Sequence, residues 1–245
     1  MGVSSIVDVG LSADLGVLDV VEWATSDPRT EVIVVILRAE PPVALVRELA
    51  TVHKEHKPLV LLTPQPRPSK VHDLVRATSL ADLADLAMLL QSEIRPPGRR
   101  VVVVTNDSSP SEVEANEELA RRAILGPDLT QHTEMRIRFL SPGSRSRGAI
   151  VALPADEASD AVHDVVETLV EDPGVDALVV DDLSTSTGHH ALWPFLASLP
   201  SSGPQGRPLP LVVAVDPRHP GQHGPVPAFA SVIQALDGLA RTCRR

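Results

Sequence analysis

The stretch "DVVEWATSDPRTEVIVVIL", residues 19–37, decides the fold because the chain contains it twice. The second copy, "DVVETLVEDPGVDALVVDD", covers residues 164–182 and aligns without a gap at an offset of 145 residues (164 − 19). Each copy combines a segment of helical spacing, an Asp-Pro step that ends the helix, and an apolar run of strand length. The repeat therefore predicts two sister domains that share one helix–turn–strand unit.

Further apolar runs are continuous rather than alternating, which is typical of buried parallel strands. They alternate with segments of helical spacing such as 80–90 and 161–170, and this order predicts an α/β fold with parallel sheets covered on both faces. The predicted strands are "SIVDVG" (5–10), "EVIVVIL" (31–37), "PLVLL" (58–62), "RVVVVTN" (100–106), "GAIVALP" (148–154), "DALVVDD" (176–182) and "PLVVAVD" (210–216).

The domain boundary is predicted at "RPPGRR" (95–100), where Pro and Gly end one helix before a new strand begins. The predicted domains are residues 1–95 and 96–245. Two further Pro- and Gly-rich stretches, residues 198–210 and 217–227, are predicted to be loops.

Composition limits the classes of partner and compartment. The net charge of -10 argues against nucleic acid and anionic membrane surfaces, and aromatic residues, at 2%, are too few for base-stacking platforms. The apolar runs are too short to span a bilayer. Cys243 is the only cysteine of the 245 residues, which indicates a reducing compartment and predicts a cytoplasmic protein.

Five blocks in order resemble one known family. They are "SSIVDVGLSADLGVLDVVEWATSDPRTEVIVVIL", "KPLVLLTP", "RRVVVVTNDSSPSEVEANEEL", "ASDAVHDVVETLVEDPGVDALVVDDL" and "VPAFASVIQALDGLAR". The set resembles the paired flavodoxin-like domains of the NDP-forming acyl-CoA synthetases, the succinyl-CoA ligase superfamily. The resemblance implies two flavodoxin-like doubly wound domains, the first of them truncated. It also implies ligation of a carboxylic acid to coenzyme A through an acyl phosphate and a phosphohistidine.

The sequence departs from the family pattern at four places. A CoA-binding Rossmann domain before residue 1 is expected to be absent, and so is the first strand of the first domain. The loop after "KPLVLL", which holds the family's phosphorylated histidine, is shortened, and His72 in its remnant does not match that histidine. The family's Asn-Gly-Gly-Pro-Gly turn is replaced by "NDSSPS" (106–111). These departures predict that the ligase chemistry is lost.

Two candidate sites follow the second-domain strands. Asn106, Ser108, Ser109 and Ser111 lie where a strand meets a helix, so they could hold the anion of CoA or an acyl phosphate at the helix N-terminus. The alternative is a capping box formed by Ser111 with the glutamate at position 114. No metal site is predicted.

Asp181 is a candidate acid or base at the ligand edge of the sheet, with a solvated turn as the alternative. His189 is a further candidate acid or base, with an exposed helix start as the alternative. His219 and His223 are read as part of a polar loop.

Three functions remain open. The leading one is a non-catalytic subunit or scaffold, in a homo-oligomer or in a complex with a ligase-type partner chain. The second is a shortened acyl-CoA ligase subunit, active with separate CoA-binding or ATP-grasp chains and using His72 or His189. The third is a sensor of CoA or acyl phosphate. Neither the acyl substrate nor the partner is identified.

Overall fold

The chain divides into two compact units, Met1–Gln91 and Ser92–Arg245. The computed structural model describes residues 2–10, 14–64, 74–91, 96, 98–106, 111–122, 124–181, 189–199, 211–215, 221–223 and 226–242. Within these ranges, residues 111–114, 189–193, 211 and 221–223 are described by their backbone alone.

The first unit is a three-stranded parallel sheet in the order β1-β2-β3, covered by helices on both faces. The α1 and α2 helices pack on one face of the sheet, and α3 packs against β2 and β3 on the other. Its elements are α1 (Val17–Ser26), β1 (Ile33–Ile36), α2 (Val43–Glu55), β2 (Leu59–Leu62), β3 (Val75–Ala77) and α3 (Leu80–Gln91).

The α1 helix buries Val21 and Ala24 and ends before the predicted Asp-Pro step. Lys57, which follows α2, donates from Nζ to the carbonyl oxygens of Ala24 (3.0 Å) and Asp27 (2.5 Å). A cation at this point satisfies carbonyl groups that have no partner within the helix. The long-range contact thus fixes the end of α1 beside β2.

The second unit contains a seven-stranded sheet in the order β5-β6-β4-β7-β8-β10-β9. The outer strands β5 and β9 are antiparallel to their neighbours, and the five between them are parallel. Numbered in chain order, those five strands run 2-1-3-4-5, the flavodoxin-like order. The strands are β4 (Val101–Asn106), β5 (Arg145–Arg147), β6 (Ile150–Leu153), β7 (Ala177–Val180), β8 (Leu211–Val215), β9 (Gly221–His223) and β10 (Val226–Phe229).

Helices cover both faces of this larger sheet. Their apolar residues join those of the strands in a core that includes Val104, Val165 and Leu178. The helices are α4 (Ser111–Arg122), α5 (Gln131–Leu140), α6 (Ser159–Glu171), α7 (His189–Ser198) and α8 (Val232–Thr242). The predicted α/β fold class with parallel sheets is therefore confirmed.

Both copies of the repeat form the predicted helix–turn–strand unit. In the first copy α1 leads to β1, and in the second α6 leads to β7. Asp27 and Asp172 follow their helices directly, each with extended backbone. The sequence "DP" thus ends both helices as predicted.

Two predictions about elements were wrong, and one helix was missed. Residues 5–10 form no strand: they are almost wholly exposed, and a turn occurs at Gly10, where φ is +54°. A parallel strand needs a hydrogen-bonded neighbour, and no described strand pairs with this segment. The predicted loop 217–227 contains β9 and the start of β10, and α5 was not predicted.

No helix in the described part of the chain is long and apolar enough to span a membrane.

Candidate functional site

In the second unit, the strand order of the parallel sheet changes direction at β4. From β4 the chain goes to β6 on one side, and then to β7 on the other. In open α/β sheets, ligands bind in the crevice outside the carboxyl ends of the strands at such a switch point. The corresponding place here is the edge where β4 and β7 end, and residues 107–110 and 182–188, which follow these strands, lie outside the described residues.

A buried hydrogen bond joins these two strand ends. Thr105 donates from Oγ1 to Asp181 Oδ2 at 3.0 Å, and both residues are buried. The amide of Asp181 donates to the carbonyl oxygen of Val104 at 2.8 Å. The carboxyl group of this sequence-predicted candidate is therefore buried at the carboxyl edge of the sheet, and its role as an acid or base stays a prediction.

Only some of the residues predicted to hold an anion can be placed near the same edge. Asn106 is the last residue of β4, and α4 begins at Ser111, whose side chain is not described. Ser108 and Ser109 lie outside the described residues. The structure thus brings Asn106 and Asp181 to one edge, and the serine anion site stays a prediction.

The histidine candidates remain untested. His72 and His219 lie outside the described residues, while His189 begins α7 and His223 ends β9 with only their backbones described. Across the described ranges, no group of three or more His, Cys, Asp or Glu residues could hold a metal ion.

Two other histidines have packing roles. His53 accepts a hydrogen bond at Nδ1 from the amide of Leu59 (2.8 Å), which ties α2 to β2. The ring of His163 stacks on Phe195, with centroids 4.1 Å apart, where α6 meets α7.

The opposite end of the same strands carries an ion pair that the sequence did not suggest. Asp176, buried before β7, accepts hydrogen bonds from Arg100 Nε (2.9 Å), Nη2 (2.7 Å) and the backbone amide (3.0 Å). The hydrogen-bonded carboxylate raises the pKa of Arg100. This pair is far from the ligand edge and anchors the amino ends of β4 and β7.

Among the described residues at this edge, Thr105 was missed by sequence reasoning. It closes the apolar run "VVVVTN" and lies 76 residues before its partner Asp181. A polar residue at the end of each of two buried strands was the available signal, because parallel strands end at the same edge of a sheet.

The strand order defines a flavodoxin-like α/β fold, and solved structures of similar fold are known. The chain is similar to the dinucleotide-forming acetyl-coenzyme A synthetase 1 of Ca. Korarchaeum cryptofilum in its apo form, with a TM-score of 0.76, 19% sequence identity and 99% of this chain covered. The same synthetase in complex with phosphate and ADP gives a TM-score of 0.76 at 19% identity over 98% of this chain. PH0766 from Pyrococcus horikoshii OT3 gives a TM-score of 0.73 at 19% sequence identity over 96% of this chain.

This chain spans 57% to 59% of the length of those proteins. No family model and no curated protein matches it. The resemblance noted in the sequence is thus confirmed at the level of the fold: the chain has the fold of acyl-CoA synthetase-like proteins over nearly its whole length.

Proposed function

We propose that this protein is an acyl-CoA synthetase-like subunit that has no catalytic role of its own and binds a partner chain. The observation that carries the proposal is the open edge of β1. Among the described residues, β1 pairs with β2 on one side and with no strand on the other.

The backbone geometry shows which groups of β1 are available to another chain. The amide of Ile33 donates to the carbonyl oxygen of Pro58 (2.8 Å), and the amide of Leu37 donates to that of Leu62 (2.9 Å). Because backbone groups alternate along a strand, those of Val34 and Ile36 point toward the open edge. A strand added there would complete the hydrogen bonds of the edge.

The side chains at this edge are apolar as well. Val34 is 39% exposed and Ile36 is 56% exposed, on the face of the sheet where α3 packs against β2 and β3. Natural edge strands are commonly protected by Lys, Pro or a bulge, and the sequence "IVVI" contains no Lys or Pro. An unprotected apolar edge favours strand addition by a partner.

The crevice of the second unit supports the absence of catalysis. A phosphate at this edge would meet the carboxyl group of Asp181, and two negative charges at close range are unfavourable. Together with the shortened loop after "KPLVLL", this argues against phosphoryl transfer in the chain itself.

A reconstitution experiment tests the proposal. The purified protein is mixed in turn with the chains encoded beside it and with chains that carry a CoA-binding or an ATP-grasp domain, and complex formation is measured by size-exclusion chromatography with light scattering. We expect a complex that Val34→Lys and Ile36→Lys each weaken at least tenfold. The matched control is Ile233→Lys on α8, where the native side chain is 38% exposed.

Hydrogen exchange adds a direct readout of the edge. The amides of Val34 and Ile36 should become protected when the complex forms, whereas those of Ile33 and Val35 should change little. Failure of every such chain to bind, or a complex that the two lysine variants leave unchanged, would refute the proposal.

The position of Asn106 and Asp181 at the switch point of the sheet supports a second candidate function, a sensor of CoA or an acyl phosphate in which the charge of Asp181 limits the affinity for phosphate. Acetyl phosphate or a CoA thioester would then raise the thermal midpoint of the protein. Asp181→Asn should strengthen binding of acetyl phosphate several-fold, because the substitution removes a like charge. No midpoint shift in either the wild type or Asp181→Asn would remove the sensor function.

A further inference from the structure

The equivalent helices of the repeat, α1 and α6, differ in how much of their surface is covered. Ala24 of α1 and its equivalent Leu169 of α6 are both buried against a sheet. Trp23 of α1 is 49% exposed, whereas its equivalent Thr168 is buried. One side of α6 is therefore covered where the matching side of α1 is not.

The cover on α6 is provided by α5. Thr130, the N-cap of α5, donates from its amide to Asp172 Oδ2 (2.9 Å), and Arg136 Nη1 lies 3.7 Å from Glu171 Oε2. Asp172 follows Thr168 by four residues and so lies on the same side of the helix. A helix thus occupies this side in the second unit, whereas no described helix covers the exposed part of Trp23 on the equivalent side in the first.

The outer face of α5 is itself apolar. Met135 is 57% exposed and Phe139 is 83% exposed, and their spacing of four residues places them side by side. They face away from Thr133 and Ile137, through which α5 is buried. The chain has only five aromatic residues, two Trp and three Phe, and two of the five are Trp23 and Phe139.

The two exposed surfaces are chemically complementary. The α1 surface consists of Asp19, Glu22 and Trp23, and the α5 surface consists of Met135, Arg138 and Phe139. An indole attracts a guanidinium group and a thioether through its ring, and the two acidic residues match the charge of the arginine. Exposed apolar residues bordered by complementary charges indicate an interaction surface.

We propose that the α1 surface of one copy of this chain binds the α5 surface of a second copy. Each α5 then packs on its own α6 with one face and on the α1 of the other copy with the opposite face. A two-fold symmetric pair forms this contact twice, so both surfaces of both copies are used. The contact does not involve the open edge of β1, and it stands independently of the proposed function.

Sedimentation velocity of the purified protein over a concentration series tests the contact. The wild type should form a dimer, which Trp23→Ser and the double variant Met135→Ser/Phe139→Ser should each weaken at least tenfold. Trp23→Phe should retain the dimer, and Ile233→Ser serves as the exposed apolar control. The native side chains are exposed, so circular dichroism should show unchanged secondary structure.

Mixing the two defective variants makes the test specific for a heterologous contact. Trp23→Ser keeps an intact α5 surface, and Met135→Ser/Phe139→Ser keeps an intact α1 surface. Each variant alone lacks one half of the contact, but the mixture can form it once per pair. Association should return on mixing, and the emission of Trp23 should move to shorter wavelength.

Several results would overturn the proposal. They are a wild type that stays monomeric at all concentrations, a dimer that either variant leaves intact, and two monomeric variants that fail to associate on mixing.

Discussion

Positions 31 and 176 are equivalent in the repeat and both carry a carboxylate, but their surroundings differ. Glu31 is partly exposed and accepts a hydrogen bond from Gln91 Nε2 at 2.7 Å. Asp176 is buried and accepts three hydrogen bonds from Arg100. The strand that follows is an edge strand in the first unit and a central strand in the second.

The Val-Val pair shared by the two copies shows the same difference. Val34 is partly exposed on β1, whereas Val179 is buried between β4 and β8. The sequence of the unit thus determines the helix, the turn and the strand, while the neighbours that each unit acquires determine its burial. Substitutions at equivalent positions can separate these two contributions.

The largest effect is expected where the surroundings differ most. Val179→Asp places a charge in the centre of the larger sheet and should destabilise the second unit by about 4 kcal/mol or more. Val34→Asp should leave the fold intact, because its side chain reaches solvent. Circular dichroism and chemical denaturation measure both, and similar losses would contradict the assignment of β1 as an edge strand.

The paired carboxylates should give the next largest effect. Asp176→Ala should cost about 3 kcal/mol, because it breaks a buried ion pair and removes the acceptor for the Arg100 amide. Glu31→Ala should cost less than about 0.5 kcal/mol, as is usual for an exposed contact. Denaturation midpoints provide the measurement, and equal shifts would show that the ion pair has no stabilising role.

The two turn aspartates predict a dependence on pH. Burial tends to raise the pKa of Asp172, but hydrogen bonds from Thr133, Thr130 and Gly174 outweigh it and lower the pKa. A hydrogen bond from the backbone of Arg29 is the main cause that lowers the pKa of Asp27. A carboxyl group whose pKa is lower in the folded protein stabilises the fold when the pH is above the pKa of the unfolded chain. This contribution is lost as the pH falls below about 4.

Asp172→Asn should therefore cost about 1–2 kcal/mol at pH 7 and reduce the loss of stability in acid. Asp27→Asn should reduce the acid sensitivity of the first unit in the same direction, with a smaller loss at pH 7. Denaturation at pH 7 and pH 3 measures both. If neither substitution changes the loss of stability in acid, other titratable groups cause that loss.

The smallest effect is expected at the end of α1. Lys57→Met keeps the aliphatic part of the side chain and removes the two hydrogen bonds to carbonyl oxygens, which should cost about 1 kcal/mol. Lys54→Met, on the last turn of α2, is the control. Equal midpoints for the two variants would show that water replaces the ammonium group without loss.

Local features were predicted well because adjacent residues determine them. The Asp-Pro steps, the paired helices and most parallel strands follow from spacing and proline chemistry. Residues 5–10 were predicted wrongly because an apolar run has strand character only where a neighbouring strand pairs with it. The Thr105–Asp181 hydrogen bond joins residues 76 positions apart, and strand order alone brings them together. The roles of His72, His189 and the serines after Asn106 stay predictions.

The margins of the two sheets have a consequence for handling the protein. The larger sheet is bordered on one side by β5, a short antiparallel strand of sequence "RSR" whose residues are all exposed. Charged, short border strands resist uncontrolled pairing between molecules, whereas an uncharged "IVVI" strand invites it. Aggregation of the isolated chain should accordingly begin in the first unit, and lysine at position 34 or 36 should raise the solubility limit even where it abolishes assembly.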